Sequence, residues 1–376
     1  MDRLTPSDIE DLTAFRRALH AAPEVSGQEV ETAACIADAL RSLGARVVTG
    51  LGGHGVAGVF GTGDETVMLR CELDALPIQE KGASSHRSRT DGVAHLCGHD
   101  GHMATMIGVA RLLARRPPSV GRVVLLFQPA EEIGTGAIAV CEDPAFADLA
   151  PDWAFALHNL PEIPTGEAHI PDGPSSAASV GLCIELGGTE AHAAAPETGR
   201  SPAGEIAALM TALPALSRGR FPYPDFRLVT LTHVALGEPA FGIAPGQGRI
   251  HVTARTVSDE RLLELERNVG NTISSGTADL DVRITEHDRF LAGANDPSAA
   301  AHLRRAAEAV GLVVSHGLPL RASEDFGRFG HDCPAAMLFL GCGPGPALHN
   351  PDYDFDDDLI APGAHLLLEA ARGIVG

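Results

Sequence analysis

Five short apolar runs, VAGVF (56–60), TVMLRC (66–71), RVVLLF (122–127), WAFAL (153–157) and AAMLFLG (335–341), limit the possible folds more than any other feature. Helical stretches or long loops separate them, which is the pattern of a largely parallel sheet covered by helices. Hydrophobic periodicity predicts those helices over roughly residues 7–20, 28–43, 101–114, 298–311 and 361–373. In the second, Val30, Ala34, Ile36, Ala39 and Leu40 are expected to form one broad apolar face. The fold class that follows is α/β, with loops and functional groups gathered at strand C-termini.

The pattern changes after GPSSAA (173–178), where SVGLCIELGG and RIHVTART alternate like half-exposed strands around a helical stretch near 202–214. From about residue 287 the helix and buried-strand pattern returns. This predicts a first domain from residues 1–178 and 288–376, with a smaller α+β domain, 179–287, inserted into it. A chain of 376 residues can form two domains of this kind. Its net charge of −21 argues against a nucleic-acid partner. No segment has the roughly 18 uncharged apolar residues of a membrane span, and the N-terminus reads as cytoplasmic. Seven scattered cysteines do not make a disulfide framework, and Cys35, Cys141 and Cys183 read as core residues.

HLCGHDGH (95–102) then places one cysteine, three histidines and an aspartate directly before a helix. Cys97 has no second cysteine two or three positions away, so it cannot form a CxxC pair. Cys97 and His99 flank Gly98, and a bent loop could aim both at one ion; a polar helix start is the alternative. In VVLLFQPAEE the adjacent Glu131 and Glu132 diverge, so that one could ligate metal while its neighbour reaches a water. His158 follows the apolar run WAFAL, and His349 follows a Gly/Pro loop beyond AAMLFLG. Each has an ordinary local reading: a solvated helix start for the glutamates, a core or cap role for His158, a loop histidine for His349. One shared site explains all four strand ends together. Cys97, His99, Glu132, His158 and His349 give five ligands where one ion takes about four, which points to two ions. Thiolate and imidazole favour zinc over magnesium or calcium.

These residues also resemble a known family, the co-catalytic metallopeptidases of the aminoacylase and carboxypeptidase type. Within it the chain resembles the N-acyl-amino-acid amidohydrolase branch, which includes hippurate and auxin-conjugate hydrolases. The resemblance runs through RRALHAAPEVSGQE (16–29), ELDALP (72–77), HLCGHDGHMATMIG (95–108), QPAEE (128–132), ALHN (156–159), GGTEAHAAAP (187–196), SEDF (323–326) and LHNPDYDFDDD (348–358). It implies an aminopeptidase-like catalytic domain with an inserted lid and dimerisation domain. It also implies Cys97, His99, Glu132, His158 and His349 as metal ligands, Glu131 as catalytic acid/base, and His192 as an oxyanion donor. Two divalent ions per subunit are expected, zinc first, with manganese, nickel or cobalt as alternatives. The expected substrate is a small N-acyl amino acid or short peptide, and the expected assembly is a homodimer or higher homo-oligomer. Deacetylation of a biosynthetic or sulfur-containing amino acid, dipeptide cleavage, and a noncatalytic metal-binding role are the competing readings. Arg255, in HVTART, is a candidate for the substrate carboxylate, since guanidinium pairs with carboxylate in a planar fork; an arginine on a strand's polar face is the other reading. The chain departs from the branch at Glu72, where aspartate is usual, at Gly242, where asparagine is frequent, and at Glu197, where a histidine often follows the proline.

Overall fold

The computed structural model describes residues 3–277 and 279–376. It forms two compact units: residues up to 175 with 293–318 and 324–376, and residues 176–292 with 319–323. The second unit thus includes a short later excursion, 319–323, that no sequence pattern indicated.

The first unit is built on an eight-stranded sheet in the order Arg46–Leu51, Gly55–Gly61, Arg122–Gln128, Thr66–Glu72, Trp153–Leu160, Ala335–Gly341, Glu167–His169, Val313–Ser315. The four central strands, from Arg122–Gln128 to Ala335–Gly341, are parallel to one another. All residues of Thr66–Glu72 and Ala335–Gly341 are buried, as expected when helices cover both faces of a parallel sheet. Helices Pro6–His20, Val30–Ser42, His99–Arg115, Pro297–Ala309 and Ile360–Val375 supply that cover. Helix His99–Arg115 is buried nearly all round, which its continuous apolar sequence requires. Gly108 lets its neighbours approach closely: a Cβ there would lie 3.2 Å from Ala364 and 3.3 Å from Leu4 and Leu12.

Helix Val30–Ser42 is rotated from its expected face. Thr32, Ala33, Ile36, Ala37 and Leu40 are buried, whereas Val30 and Ala34 are exposed. Cys35 is likewise exposed rather than in the core, and Cys141 and Cys183 are only half-buried. The cause is a one-position offset: the face centred on Ile36 and Leu40 recruits Thr32 and Ala33 of the preceding turn.

The second unit is a four-stranded antiparallel sheet ordered Arg227–Leu236, Gln247–Thr256, Ala178–Gly187, Asp281–Phe290. Val180, Leu182, Ile184 and Leu186 alternate inward with Ile250, Val252 and Ala254, forming one core with residues of helices Ala203–Ala212 and Asp259–Gly276. The intervening residues, among them Cys183, Glu185, Arg249 and His251, line the sheet's open face. The architecture is therefore an α/β domain with a smaller inserted α+β domain. Among the described residues no helix is long and apolar enough to cross a membrane.

Candidate metal centre and active site

The central strands of the first unit end at one place. Thr66–Glu72 leads into Asp74, Arg122–Gln128 into Glu131 and Glu132, and Trp153–Leu160 holds His158 in its last turn of pleat. His158 thus lies within its strand, opposite Phe339, rather than beyond it. Gly98 precedes helix His99–Arg115 with φ +95°, and a Cβ there would stand 2.3 Å from Asn159 Oδ1. Only glycine meets both demands, and the bend directs Cys97 and His99 to the same side.

The structure brings all five sequence-derived ligand candidates into overlapping groups. Cys97, His99 and His158 place ligand atoms within 4.8 Å of one another, and so do Cys97, Glu132 and His349, and His99, Glu131 and Glu132. Cys97 is common to the first two groups, which is the arrangement for two ions sharing one thiolate. The Cys97 sulfur lies 3.5 Å from His158 Nε2, and His349 Nε2 lies 3.4 Å from Glu132 Oε2.

Second contacts prepare these groups for a cation. His99 Nδ1 donates to the Asp74 carbonyl at 2.8 Å, and His158 Nδ1 to the Asn159 carbonyl at 2.7 Å. Both imidazoles are thereby held with the Nε2 lone pair facing the cluster. His99 Nε2 and Glu132 Oε1 are shielded from solvent, have no hydrogen-bond partner among the described residues, and lie 3.8 Å apart. Two orphaned buried acceptors pointing at each other fit a divalent ion between them. The candidate clusters support a co-catalytic divalent-metal centre.

The electrostatics show which of these groups must lose a proton to ligate: burial acts against a charged His99, but Cys97 and Asp74 outweigh it and raise that imidazole well above its ordinary range. Burial pushes the Cys97 thiol well up, with Glu132 adding to the effect. Burial raises Glu132 to about 7, with His99 opposing and Asp74 reinforcing. Burial lowers His158 to about 3 and His349 to about 4, so both stay neutral and able to ligate. Burial, then Glu324, Glu132 and Asp325, hold the Glu131 carboxyl well above the ordinary range.

Several residues of this site were not singled out by sequence reasoning. Arg70 is fully buried inside an apolar strand and donates to Gln128 Oε1 at 2.9 Å, Glu324 at 2.9 Å, Asp325 at 2.7 Å and Glu72. Glu324 and Asp325 lie within 4.8 Å of Glu131. His102, the third histidine of HLCGHDGH, contacts Glu72 at 2.7 Å and Asn159 Oδ1 at 2.6 Å through its two ring nitrogens. Glu29 accepts the Ala130 N–H at 2.8 Å, holding the positive φ of 51° that turns the chain into Glu131. The one available signal was chemical: a guanidinium within an apolar strand requires several buried acceptors.

His192 and Arg255 belong to the second unit, whereas all five ligand candidates and Glu131 belong to the first. His192 is exposed on a two-stranded ribbon opposite Ile243, and its Nδ1 accepts the Ala194 N–H at 3.0 Å. Arg255 donates to Ser323 Oγ at 2.6 Å and the Arg321 carbonyl at 3.1 Å.

Known proteins share this architecture and sequence. The chain is 32% identical over 97% of its length to an N-acetyl-L-cysteine deacetylase of Bacillus subtilis, 88% of which is covered. It is 31% identical to a hippurate hydrolase of Campylobacter jejuni, with 93% of each covered. A Bacillus subtilis dinuclear-metal-binding peptidase of the M20 family superposes with TM-score 0.81 at 26% identity, covering 99% of both chains. An aminobenzoyl-glutamate utilization protein from Klebsiella pneumoniae shares the fold at TM-score 0.74 and 20% identity, covering 97% of this chain and 95% of that one. Residues 68–373 match the model of peptidase family M20/M25/M40. The chain belongs to that family and is a metal-dependent hydrolase of amide bonds.

Proposed function

We propose that the enzyme hydrolyses the amide that joins an acyl group to an amino acid. The observation that carries this reading is Glu131, buried beside a ligand cluster in which Cys97 is shared, with its carboxyl held above the ordinary carboxylate range by burial and by the neighbouring Glu324, Glu132 and Asp325. Cys97, His99, Glu132, His158 and His349 would hold two divalent ions. When bound, the ions supply Lewis acidity for the attacking water and positive charge for the developing oxyanion.

The residues of the chain perform the proton transfers. Glu131 accepts a proton as the water oxygen bonds to the amide carbon. On collapse the C–N bond breaks, and Glu131 returns the proton to the leaving nitrogen, giving a carboxylic acid and a free amine. Arg255 pairs with the carboxylate of the amino-acid half, and an imidazole N–H of His192 from a second copy of the chain donates to the oxyanion. With His192 supplied by a second copy, the active form is a homodimer or higher oligomer.

A second reading, deacetylation of a sulfur-containing amino acid, is favoured by the deacetylase named among the relatives. One screen separates the two. The protein loaded in turn with Zn2+, Mn2+, Co2+ or Ni2+ is assayed against N-benzoyl and N-acetyl amino acids, N-acetylcysteine and dipeptides. Turnover of benzoyl and acetyl derivatives of several amino acids supports the broad reading. Activity confined to N-acetylcysteine selects the second, and activity on dipeptides alone overturns both.

A further inference from the structure

Arg16 is a fully buried guanidinium of the first unit that the proposed chemistry does not use. It projects from helix Pro6–His20. Its Nε lies 2.9 Å from Asp100 Oδ2 as an ion pair without an aligned hydrogen bond. Nη2 donates to Asp354 and to the Phe355 carbonyl at 3.2 Å, and Nη1 lies 2.9 Å from His86 Nε2 and 3.6 Å from Asp357. Asp100 directly follows His99. Asp354 and Phe355 lie in the irregular segment that follows His349.

This segment needs such a tether. His99 sits at the start of a helix and His158 within a central strand, but His349 occupies a loop, with its side chain 48% exposed and its backbone at φ +64°. Its own N–H is held by the Leu96 carbonyl at 2.8 Å. Phe355 packs so closely on the other ligand-bearing element that a Cβ at Gly101 would lie 2.3 Å from its ring. His20 contacts the same oxygen of Asp100 at 2.8 Å, which fixes that carboxylate from a second side.

We propose that Arg16 is a positioning residue that locks the His349 segment to the helix carrying His99, and so sets the affinity of one metal position selectively. That position is the one formed by Cys97, Glu132 and His349; in the group of Cys97, His99 and His158 two ligands stand on regular elements, His99 at a helix start and His158 within a strand, and none lies in the His349 segment. A guanidinium is suited to this because its planar fork spans acceptors on two segments at once, whereas an ammonium reaches fewer in fixed directions.

The inference rests on the two-ion reading, and Co2+ titration of the metal-stripped protein tests both. Visible absorption reports the ligand field, and competition with a chelator gives each affinity. Two variants are compared with the wild type: R16K, and D354N, which removes one tether at a partly exposed position without leaving a buried guanidinium unbalanced on every side. Expected is a loss of at least about tenfold in affinity for one Co2+ in each variant, with the other unchanged. Thermal unfolding without metal is measured alongside, since a purely structural role would lower the unfolding temperature while leaving the two affinities in their wild-type ratio. Unchanged affinities, or an equal loss at both positions in D354N, would overturn the clamp alone. A wild-type stoichiometry below two would overthrow the two-ion reading and the clamp with it.

Discussion

Asp74 Oδ2 accepts the backbone N–H of Glu132 at 2.9 Å, and the carbonyl of the same aspartate takes the Nδ1 proton of His99 at 2.8 Å. One residue therefore orients two ligand candidates, Glu132 beyond a strand end and His99 at a helix start, and Ser26 Oγ steadies its carboxylate at 2.6 Å. Substituting Asp74 by Asn keeps the carbonyl but removes a charge-assisted acceptor of the Glu132 amide. Zinc affinity should fall about 10–100-fold with little change in the folded structure, as for other outer partners of metal ligands. Chelator competition at fixed pH measures this, and wild-type affinity would show that Asp74 serves folding only.

Glu131 and Glu132 are adjacent in sequence yet predicted to differ in what they lose on amidation. E131Q keeps the shape and the metal but removes the base, so kcat should drop at least about a hundredfold while two ions remain bound. Metal analysis and turnover are measured on the same sample. Near-normal turnover in a metal-replete variant would exclude Glu131 as the acid/base.

The folded-state affinity of Glu132 for a proton, raised by burial to about 7, has a pH consequence of definite sign. Because the neutral form is the one tolerated in the fold, its contribution to stability is present below the ordinary glutamate range. It is lost as pH rises through about 7. Metal-stripped wild type should therefore lose stability relative to metal-stripped E132Q between pH 5 and pH 8, by at most roughly 3 kcal/mol. Added Zn2+ should reverse the trend in the wild type and release protons on binding, since Glu132 and the Cys97 thiol must both ionise to ligate. Denaturant titrations at the two pH values test this; a difference between the proteins that does not vary with pH would contradict it.

Among the described residues, the hydrogen bonds of Arg255 run through Nη1, to Ser323 Oγ and the Arg321 carbonyl. R255M should raise KM for substrates bearing a free carboxylate at least about tenfold and leave kcat within a few-fold, because the lost contact exists in ground and transition states alike. Equal weakening for the corresponding carboxamides would argue that Arg255 only ties strand Gln247–Thr256 to Ser323.

The legible part of this protein was the part written locally. Each ligand candidate stands at or just beyond the end of an apolar run or at a glycine bend, so residue type and position together placed it near the others before any contact was known. Arg70 was not legible in that way. Its acceptors Glu324 and Asp325 lie more than 250 residues away, and nothing near residue 70 announces them. The excursion 319–323 is too short to carry a period. Helix Asp259–Gly276 is a different case: Leu262, Leu265, Val269 and Ile273 repeat at helical spacing, and only the dense charges between them obscured it. The rotated face of Val30–Ser42 shows the limit of periodicity, which fixes the angular width of an apolar stripe better than its centre.

His192 poses the sharpest question about assembly, because it is exposed in the second unit while the acid/base and all five ligand candidates lie in the first. If it serves the site of a second copy, a symmetric dimer exchanges the two histidines, each unit completing its partner's centre. H192A should then reduce kcat by about 10²–10³-fold, the usual cost of one oxyanion donor, with metal content unchanged. An E131Q protein mixed with an H192A protein provides the decisive arrangement. In the heterodimer one site has both functional groups and the other has neither, so activity should rise well above that of either parent and approach half of the wild type at complete heterodimer formation. Differently tagged chains allow the heterodimer to be isolated and its metal content measured before assay. Absence of recovery in fully loaded heterodimer would show that His192 acts within its own chain or takes no part in turnover.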